Sequence, residues 1–438
     1  MVKLKALFVL VAVTLACITA SASQLNGDPI LKAIERTTTS RFNVDINGLA
    51  KRLSGVNADI TAHGIVFSKE AGRYLLTGYD YSQFYDWDLY FENVYQMYNG
   101  RYDYCFVNIE AFLDLQESDG FIKRSFGPYS YGSNHMFKPF IAQTVLLGMR
   151  QHPDKEWLRK YYDKIVSYEK CWYTRYDKDR NNLCVWMNAD HSGMDNQSSR
   201  VIGGLVDEGV DLNCYLYREW QALAELARML GLNRDRKAFL QKAEQVKDAI
   251  NNLLWDEETG FYYDRLENTG KLNKVKGVSG FMPLYANVAS KKQAQRLVNK
   301  HLLNEQEFWA KYPIHTLAKD EKAYDQSGAQ PPSGRCNWNG TTWIPTNYMV
   351  FHGLMNYGYQ TEARELATRT YDLVYKQNKA TREYYNAENG EGYGRNPFYG
   401  WSTLAYLMPL EWELQYDPTR ITEKRMLPLV TYILKSAE

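Results

Sequence analysis

Carboxylate side chains among aromatic residues are the features of this 438-residue chain that point to chemistry. Asp and Glu residues, or the aromatic residues that would accompany them, concentrate in YDYSQFYDWDLYFE (79–92), HSGMDNQSSR (191–200), GRCNWNGTTWIPTNY (334–348) and REYYNAENGEGYGRNPFYGW (382–401). Flat aromatic rings stack on sugar rings, and carboxylates accept hydrogen bonds from sugar hydroxyls. The pattern therefore indicates a saccharide site built from loops.

Other catalytic classes lack their sequence signatures. The chain contains no phosphate-binding or dinucleotide-binding glycine pattern, no G-x-S-x-G and no H-E-x-x-H. Its seven histidines are not spaced as metal ligands, and no two cysteines have C-x-x-C spacing, although a bridge between Cys171 and Cys184 is one arrangement the sequence allows. We therefore expect no metal and no cofactor, and any chemistry falls to the carboxylates.

The amino-acid composition indicates which classes of molecule the chain binds. Lysine plus arginine number 52 against 51 for aspartate plus glutamate, so the chain has no basic field that would attract nucleic acid. Aromatic residues make up 14% of the chain. We expect an oligosaccharide or glycoside as the partner and no nucleic acid.

The elements that must position these residues are helical hairpins. DLNCYLYREWQALAELARMLG has apolar residues at steps of three and four, with Asp211 as a candidate N-cap and Gly231 at the end. A second amphipathic stretch, RDRKAFLQKAEQVKDAINNLL, follows at once. Similar pairs are predicted at 137–150 with 155–170 and at 344–357 with 361–377. Repeated helical hairpins separated by long decorated loops favour a closed all-α toroid over an open solenoid.

The amino terminus is typical of an export signal. Lys3 and Lys5 precede an apolar stretch, and Ala20 to Ala22 fit a signal peptidase site. We predict a signal peptide at 1–22, an N-terminal lead-in at 23–60 and one catalytic domain at 61–438. Lipidation at Cys17 is the alternative. No later stretch is predicted to span a membrane, so the expected location is the periplasm or the extracellular space.

The aromatic and acidic loops resemble motifs of a known clan. SGMDNQSSR is similar to the pattern S-G-x-D-N-S-x-R, and CNWNGTTWIPTNY is similar to Y-W-R-G-x-x-W-x-P-x-N-Y. REYYNAENGEGYG, followed by FYGWS, is similar to W/Y-E-x-Y-x-x-x-T-G-x-G followed by F-x-W-S. These motifs, in this order, resemble those of inverting glycosidases with an (α/α)6 toroid, which include trehalases and glycoside hydrolase family 63. The resemblance covers about residues 80–410.

The resemblance implies a role for each matching residue. It implies Asp195 as general acid and Glu383 as general base of an exported, inverting exo-α-glycosidase acting on a glucoside or mannoside. The matching positions that would bind the sugar are Trp87, Asp88, Arg200, Trp338, Asn339, Trp343 and Trp401. Asn339 stands where the family has arginine, and Met194 where many relatives have tryptophan, and both changes lie in the sugar subsite.

Alternatives remain open at the level of the sequence. Glu388 and Glu391 compete with Glu383 for the base, and Asp86 and Asp88 are also placed to cap a helix that begins near Leu89. A sugar epimerase on the same toroid is a rival enzyme class, although epimerases usually require histidines as proton shuttles. A non-catalytic glycan-binding protein is the second rival, in which the acids only accept hydrogen bonds.

Overall fold

Antiparallel helical hairpins make up most of the computed structural model, which describes residues 28–78, 82–129, 134–200, 207–328 and 336–437. The longer helices of these segments are α1 (Pro29–Arg36), α2 (Ile46–His63), α3 (Asp86–Tyr98), α4 (Asp103–Asp114), α5 (Ile141–Gln151), α6 (Lys155–Tyr176), α8 (Val210–Leu230), α9 (Asn233–Leu253), α12 (Ile344–Asn356), α13 (Gln360–Tyr371) and α15 (Leu429–Ser436). Shorter helices are α7 (Ala189–Ser192), α10 (Met282–Tyr285), α11 (Lys291–Arg296) and α14 (Met408–Leu414).

The hairpin of α8 and α9 shows how sequence sets the helix ends. Gly231 adopts φ +79°, a left-handed conformation that glycine takes without strain, and its backbone N–H closes the last turn of α8. The prediction that Asp211 caps α8 was wrong, because the helix begins at Val210 after Gly209. Asp211 lies in the first turn, where its carboxylate accepts a hydrogen bond from Trp186 Nε1 at 2.9 Å.

The helices fall into an inner and an outer set that differ in how much of their surface is buried. Helices α3, α5, α8 and α12 are buried along nearly their whole circumference, as expected for helices that line the axis of a toroid. Helices α6, α9 and α13 bury one stripe and expose the other face. The all-α toroid predicted from the repeated hairpins is therefore the observed architecture.

Small antiparallel ladders decorate the loops. They pair β1 (Ile65–Ser68) with β2 (Arg73–Leu76), β3 (Phe84–Tyr85) with β4 (Ser125–Phe126), β5 (Asp207–Glu208) with β8 (Arg265–Leu266), β6 (Trp255–Asp256) with β7 (Phe261–Tyr262), and β9 (Tyr384–Tyr385) with β10 (Gly392–Tyr393). In the ladder of β9 and β10, Tyr384 pairs with Tyr393 and Tyr385 pairs with Gly392. Strands β3 and β9 stand next to acidic residues in the sequence, so the ladders fix where those acids emerge.

The two ends of the described chain meet. Helix α15 packs against α1 and α2, and Tyr432 donates a hydrogen bond to Asp28 Oδ2 at 2.9 Å. Helix α2 runs through the predicted boundary at residue 60. The predicted signal peptide at 1–22 and Cys17 lie outside the described residues.

The described segments also bear on the predicted disulfide and on membrane-spanning helices. Cys171 and Cys184 are free thiols, so the bridge that the sequence allowed is not formed. Within these segments, no helix has both the length and the apolar character that crossing a bilayer requires.

Candidate active site

A cavity of about 400 Å³ brings most of the predicted site residues together. Its lining consists of Tyr85, Trp87, Asp88, Arg124, Gly193, Asp195, Cys336, Trp338, Trp343, Glu383, Arg395, Phe398 and Trp401. A larger cavity of about 670 Å³ lies among the carboxyl-terminal ends of α5 and α8, and none of the predicted site residues lines it. Of these two cavities, the smaller one has both several acids and aromatic walls among its described lining residues.

Asp195 reaches the cavity from an irregular loop after α7. The side chain of Asn188 accepts a hydrogen bond from the His191 backbone and starts this short helix. Gly193 ends it with φ +79°, which redirects the chain toward Asp195. Burial raises the pKa of Asp195 to about 6, with Arg124 acting against this increase. A carboxyl group with this pKa is still protonated in a fraction of the molecules close to neutral pH.

Glu383 enters the cavity from the residue before β9. Its carboxylate accepts a hydrogen bond from the Arg395 backbone N–H at 3.0 Å, and its carbonyl oxygen accepts one from Trp401 Nε1 at 2.9 Å. A Cβ atom at Gly394 would lie 2.3 Å from Glu383 Oε2, so only glycine permits this close approach. Burial raises the pKa of Glu383, whereas the backbone bond favours its charged form.

Trp87 and Asp88 open the first turn of α3, beside the buried Asp86. The helix begins at Asp86 rather than near Leu89, with Tyr85 at the capping position, and the cap has no side-chain hydrogen bond. Asp88 therefore does not act as the N-cap and instead lines the cavity. Burial, followed by the charge of Asp86, raises the pKa of Asp88 to about 7.

The tryptophans form a packed aromatic wall rather than separate platforms. Trp338 stacks on Trp343 with 3.7 Å between ring centroids, and Trp343 stacks on Tyr384 at 4.6 Å. Trp401 contacts Trp343 at 5.7 Å. Trp338 and Trp343 are each only 1% exposed, so a small part of each ring is available to a ligand. These residues are both core and cavity wall.

Arg200 does not reach the cavity, which corrects the prediction that it binds substrate. Its side chain is fully buried, and Nη2 lies 2.8 Å from Asp211 Oδ1 and 3.5 Å from Asp264 Oδ2. Asp211 belongs to α8, and Asp264 lies between β7 and β8. Arg200 therefore ties the residues after Asp195 to these two elements.

Asn339 is also a supporting residue rather than a wall of the cavity. Its Nδ2 donates to the Asn196 carbonyl at 2.8 Å, and its Oδ1 accepts from the Ser198 backbone N–H at 2.8 Å. Asn196 in turn accepts a hydrogen bond from the Trp338 backbone N–H at 2.7 Å. The asparagines thus join the Asp195 loop to the tryptophan loop, so the predicted ligand role of Asn339 is corrected.

The competing acids lie elsewhere. Glu388 accepts hydrogen bonds from Lys319 and from Tyr324, each at 2.9 Å, and these bonds lower its pKa against the effect of burial. Glu391 is exposed and accepts one from Tyr393 at 3.1 Å. Neither glutamate lines the cavity, which leaves Glu383 as the acid at that position.

Sequence reasoning missed two arginines and a thiol in the lining. Arg124 precedes β4 and is nearly buried, whereas Arg395 is exposed in the loop after β10. Cys336 Sγ lies 3.6 Å from Glu383 Oε1. Arg395 lies inside the segment 382–401, which was singled out for its acids, whereas Arg124 lies outside all four segments. A positive charge close in sequence to the acids was the available signal for Arg395, and no such signal marked Arg124.

A family model and two curated proteins match the part of the chain that contains the cavity residues. A model of the family described as mannosylglycerate hydrolase MGH1-like glycoside hydrolase domain matches residues 81–402. Cytosolic neutral trehalase of Kluyveromyces lactis is 33% identical over 178 residues, which cover 38% of this chain and 22% of that protein. Mannosylglycerate hydrolase of Rubrobacter radiotolerans is 30% identical over 204 residues, covering 46% and 43%. The aligned parts thus span less than half of either curated relative.

Solved structures share the architecture at low sequence identity. The GH63 mannosylglycerate hydrolase of Thermus thermophilus, in complex with glucose, has a TM-score of 0.66 at 20% identity, covering 82% of this chain and 99% of that one. Neutral trehalase of Saccharomyces cerevisiae has a TM-score of 0.60 at 16% identity, covering 80% and 76%. These likenesses confirm the predicted (α/α)6 toroid, and the family model over residues 81–402 supports the resemblance to glycoside hydrolase family 63.

Proposed function

The chain belongs to the family of mannosylglycerate hydrolase MGH1-like glycoside hydrolase domains, and we propose that it is an exported exo-α-glycosidase that inverts the anomeric carbon. The substrate is an α-linked glucoside or mannoside. The observation that carries the proposal is that Asp195 and Glu383, from loops almost two hundred residues apart, line one cavity with no other carboxylate except Asp88 among its described lining residues.

The environments of the two acids suit different roles. Asp195, with a pKa of about 6, holds the proton that the departing oxygen requires. Glu383 accepts hydrogen bonds from a backbone N–H and from a thiol, and both favour its ionised form. An ionised carboxylate at that position deprotonates a water molecule that attacks the sugar from the opposite side. Inversion follows from this single displacement.

The remaining lining residues orient the sugar. Asp88 accepts hydrogen bonds from hydroxyl groups of the ring being cleaved, and the edges of Trp87, Trp338, Trp343 and Trp401 exclude water around it. Because these rings are tightly packed, the subsite is rigid and holds one sugar unit. A site of this kind favours removal of a terminal residue.

The group beyond the scissile bond is an acidic aglycone in this proposal. The Rubrobacter relative is by name a mannosylglycerate hydrolase, and glycerate carries a carboxylate. Arg124 and Arg395 are the cations of the cavity lining, and guanidinium groups pair with carboxylates. The trehalase relative makes a neutral disaccharide the second candidate. Comparing kcat/KM for mannosylglycerate and trehalose separates the two.

The deciding experiment combines a substrate panel with paired variants. Wild type is expected to release a monosaccharide from at least one α-linked member, and Asp195→Asn and Glu383→Gln are each expected to lower kcat about a hundredfold or more. Glu388→Gln is the matched control and retains activity, because Glu388 is paired outside the cavity. Binding without hydrolysis would instead identify a glycan-binding protein, and epimerised sugar would identify an epimerase.

Export is tested separately from catalysis. Lys3, Lys5 and the Ala20–Ala22 site predict cleavage after Ala22. Expression of the full chain in a Gram-negative host, followed by fractionation and amino-terminal sequencing, is expected to give a periplasmic protein that begins at Ser23. Lipid attached at Cys17 would replace that result, and an uncleaved cytosolic chain would contradict export.

A further inference from the structure

A fully buried ion pair lies beside the candidate active site and has no part in the roles assigned so far. Lys138 Nζ donates to both oxygens of Asp86, at 2.8 and 3.0 Å, and the Lys138 backbone N–H also donates to Asp86 Oδ2 at 2.9 Å. Both side chains are 0% exposed. Tyr168 donates to the Lys138 carbonyl at 2.9 Å, so the lysine is held from the outer helix α6 as well.

Lys138 contacts two parts of the cavity that are far apart in sequence. Its ammonium lies over the ring of Trp87, 5.2 Å from the centroid. A Cβ atom at Gly193 would lie 2.8 Å from Lys138 Cε and 3.3 Å from Trp87 Cε2, so the lysine, the tryptophan and the acid loop pack against one another at Gly193. Gly193 is two residues before Asp195, and Trp87 is next to Asp88.

Burying a charged pair is costly unless its geometry is good, and nonpolar replacements of such pairs are often equally stable. Stability alone therefore gives no reason for this pair at this place. We propose that Lys138 is a positioning residue for the hydrolysis: held by Asp86, its buried ammonium fixes Trp87 against Gly193 and supplies a fixed positive charge next to Asp88 and Asp195. This inference rests on the proposed function.

The charge of Lys138 acts on both acids. Burial dominates the raised pKa of Asp88 and of Asp195, and Lys138 lowers the pKa of each. Burial lowers the pKa of Lys138 itself to about 8, and Asp86 opposes that decrease. Other ionisable groups that act on Lys138 or Asp195, or on which they act, are Arg124, Asp190, Glu383, Tyr85, Cys336, His135 and His191.

The test uses Lys138→Met combined with Asp86→Asn, because Lys138→Met alone leaves a buried carboxylate without its partner. We expect the double variant to fold and its kcat/KM to fall about tenfold or more, since Trp87 and the acid loop lose their common support. The basic limb of kcat/KM, which reports the proton on Asp195, should move to higher pH by about 0.5 unit or more. The reason is that Lys138 lowers the pKa of Asp195 directly, whereas the charge of Asp86, which is lost as well, acts on Asp88 and Lys138.

Matched controls make the result decisive. Lys276→Met removes another largely buried lysine, which pairs with Glu307 at 2.9 Å outside the cavity, and should leave the pH profile unchanged. A double variant that loses activity without moving the basic limb overturns the proposal, as does one with wild-type kinetics. Failure of the double variant to fold also overturns it, because the pair would then be a stability element. In each case activity of wild type and inactivity of Asp195→Asn leave the proposed function standing.

Discussion

Cys336 Sγ lies 3.6 Å from Glu383 Oε1, so the thiol donates a weak hydrogen bond to the glutamate proposed as base. Burial raises the pKa of Glu383, and the bond from Cys336 acts in the opposite direction. Burial also raises the pKa of the thiol well above its usual range, so Cys336 keeps its proton and remains a donor. The thiol therefore favours the ionised form of the base without being reactive itself.

Substituting Cys336 should move the acid limb of the pH profile. Cys336→Ala removes the donor, so the pKa of Glu383 rises and the acid limb of kcat/KM shifts to higher pH by about 0.5 unit. Cys336→Ser keeps a hydroxyl donor and should stay close to wild type. The profile is measured with one substrate under conditions where both variants remain folded. An acid limb that stays in place in Cys336→Ala would show that the thiol does not influence the base.

Ionised Asp195 should lower the free energy of unfolding at pH values above about 6. Its folded-state pKa of about 6 is above the usual 3.8, so the folded protein binds this proton more tightly than the unfolded chain does. The corresponding stabilisation is complete below about pH 4 and is lost as the pH rises through 6. Asp195→Asn removes the ionisable group, and its Tm should exceed that of wild type by about 2 °C or more at pH 8.

The same comparison at low pH is the control for Asp195→Asn. At pH 4 the carboxyl group is protonated in the folded wild type, so the two proteins should unfold within about 1 °C of each other. Glu388→Gln should behave in the opposite way, because the hydrogen bonds of Glu388 lower its pKa. A Tm for Asp195→Asn below that of wild type at pH 8 would mean that Asp195 stabilises its loop.

Periodicity in the sequence predicted the helical hairpins because a buried helix face repeats every three to four residues, as α8 and α9 show. The cap of α8 was predicted wrongly. Asp211 has the right residue type for a cap, but its carboxylate bonds to Trp186 and Arg200, and both partners are distant in sequence. Local patterns carry no information on such contacts.

The same limit applies to the candidate site. Asp195, Glu383, Asp88 and the tryptophans were predicted as site residues from motifs that are contiguous in sequence, and the structure places them around one cavity. Arg200 was assigned to the cavity because it is in the same motif as Asp195, yet the chain turns between them and buries the guanidinium against Asp264. Lys138, the proposed positioning residue, lies in none of the acidic segments, and only the packing of the fold brings its ammonium over the ring of Trp87.

Arg200→Met should lower stability rather than substrate affinity. The substitution leaves Asp211 and Asp264 buried without their cation, and breaking a buried pair in this way costs about 3–5 kcal/mol. Urea unfolding measures the loss, and KM of the folded fraction should stay within about twofold of wild type. Arg425→Met is the control, because the Arg425 side chain is 48% exposed in its pair with Glu423, and the expected loss is at most about 1 kcal/mol.

The stereochemical outcome tests the roles of Asp195 and Glu383 whatever the natural substrate is. If Glu383 activates water, the sugar undergoes one displacement and no covalent glycosyl-enzyme forms. The first product from an α-glycoside is then the β-anomer, which proton NMR detects before mutarotation mixes the anomers. Asp195→Asn should retain more activity on a glycosyl fluoride, whose leaving group needs no proton, whereas Glu383→Gln should not recover. If the α-anomer appeared first, Glu383 would be a nucleophile and the reaction would proceed through two displacements.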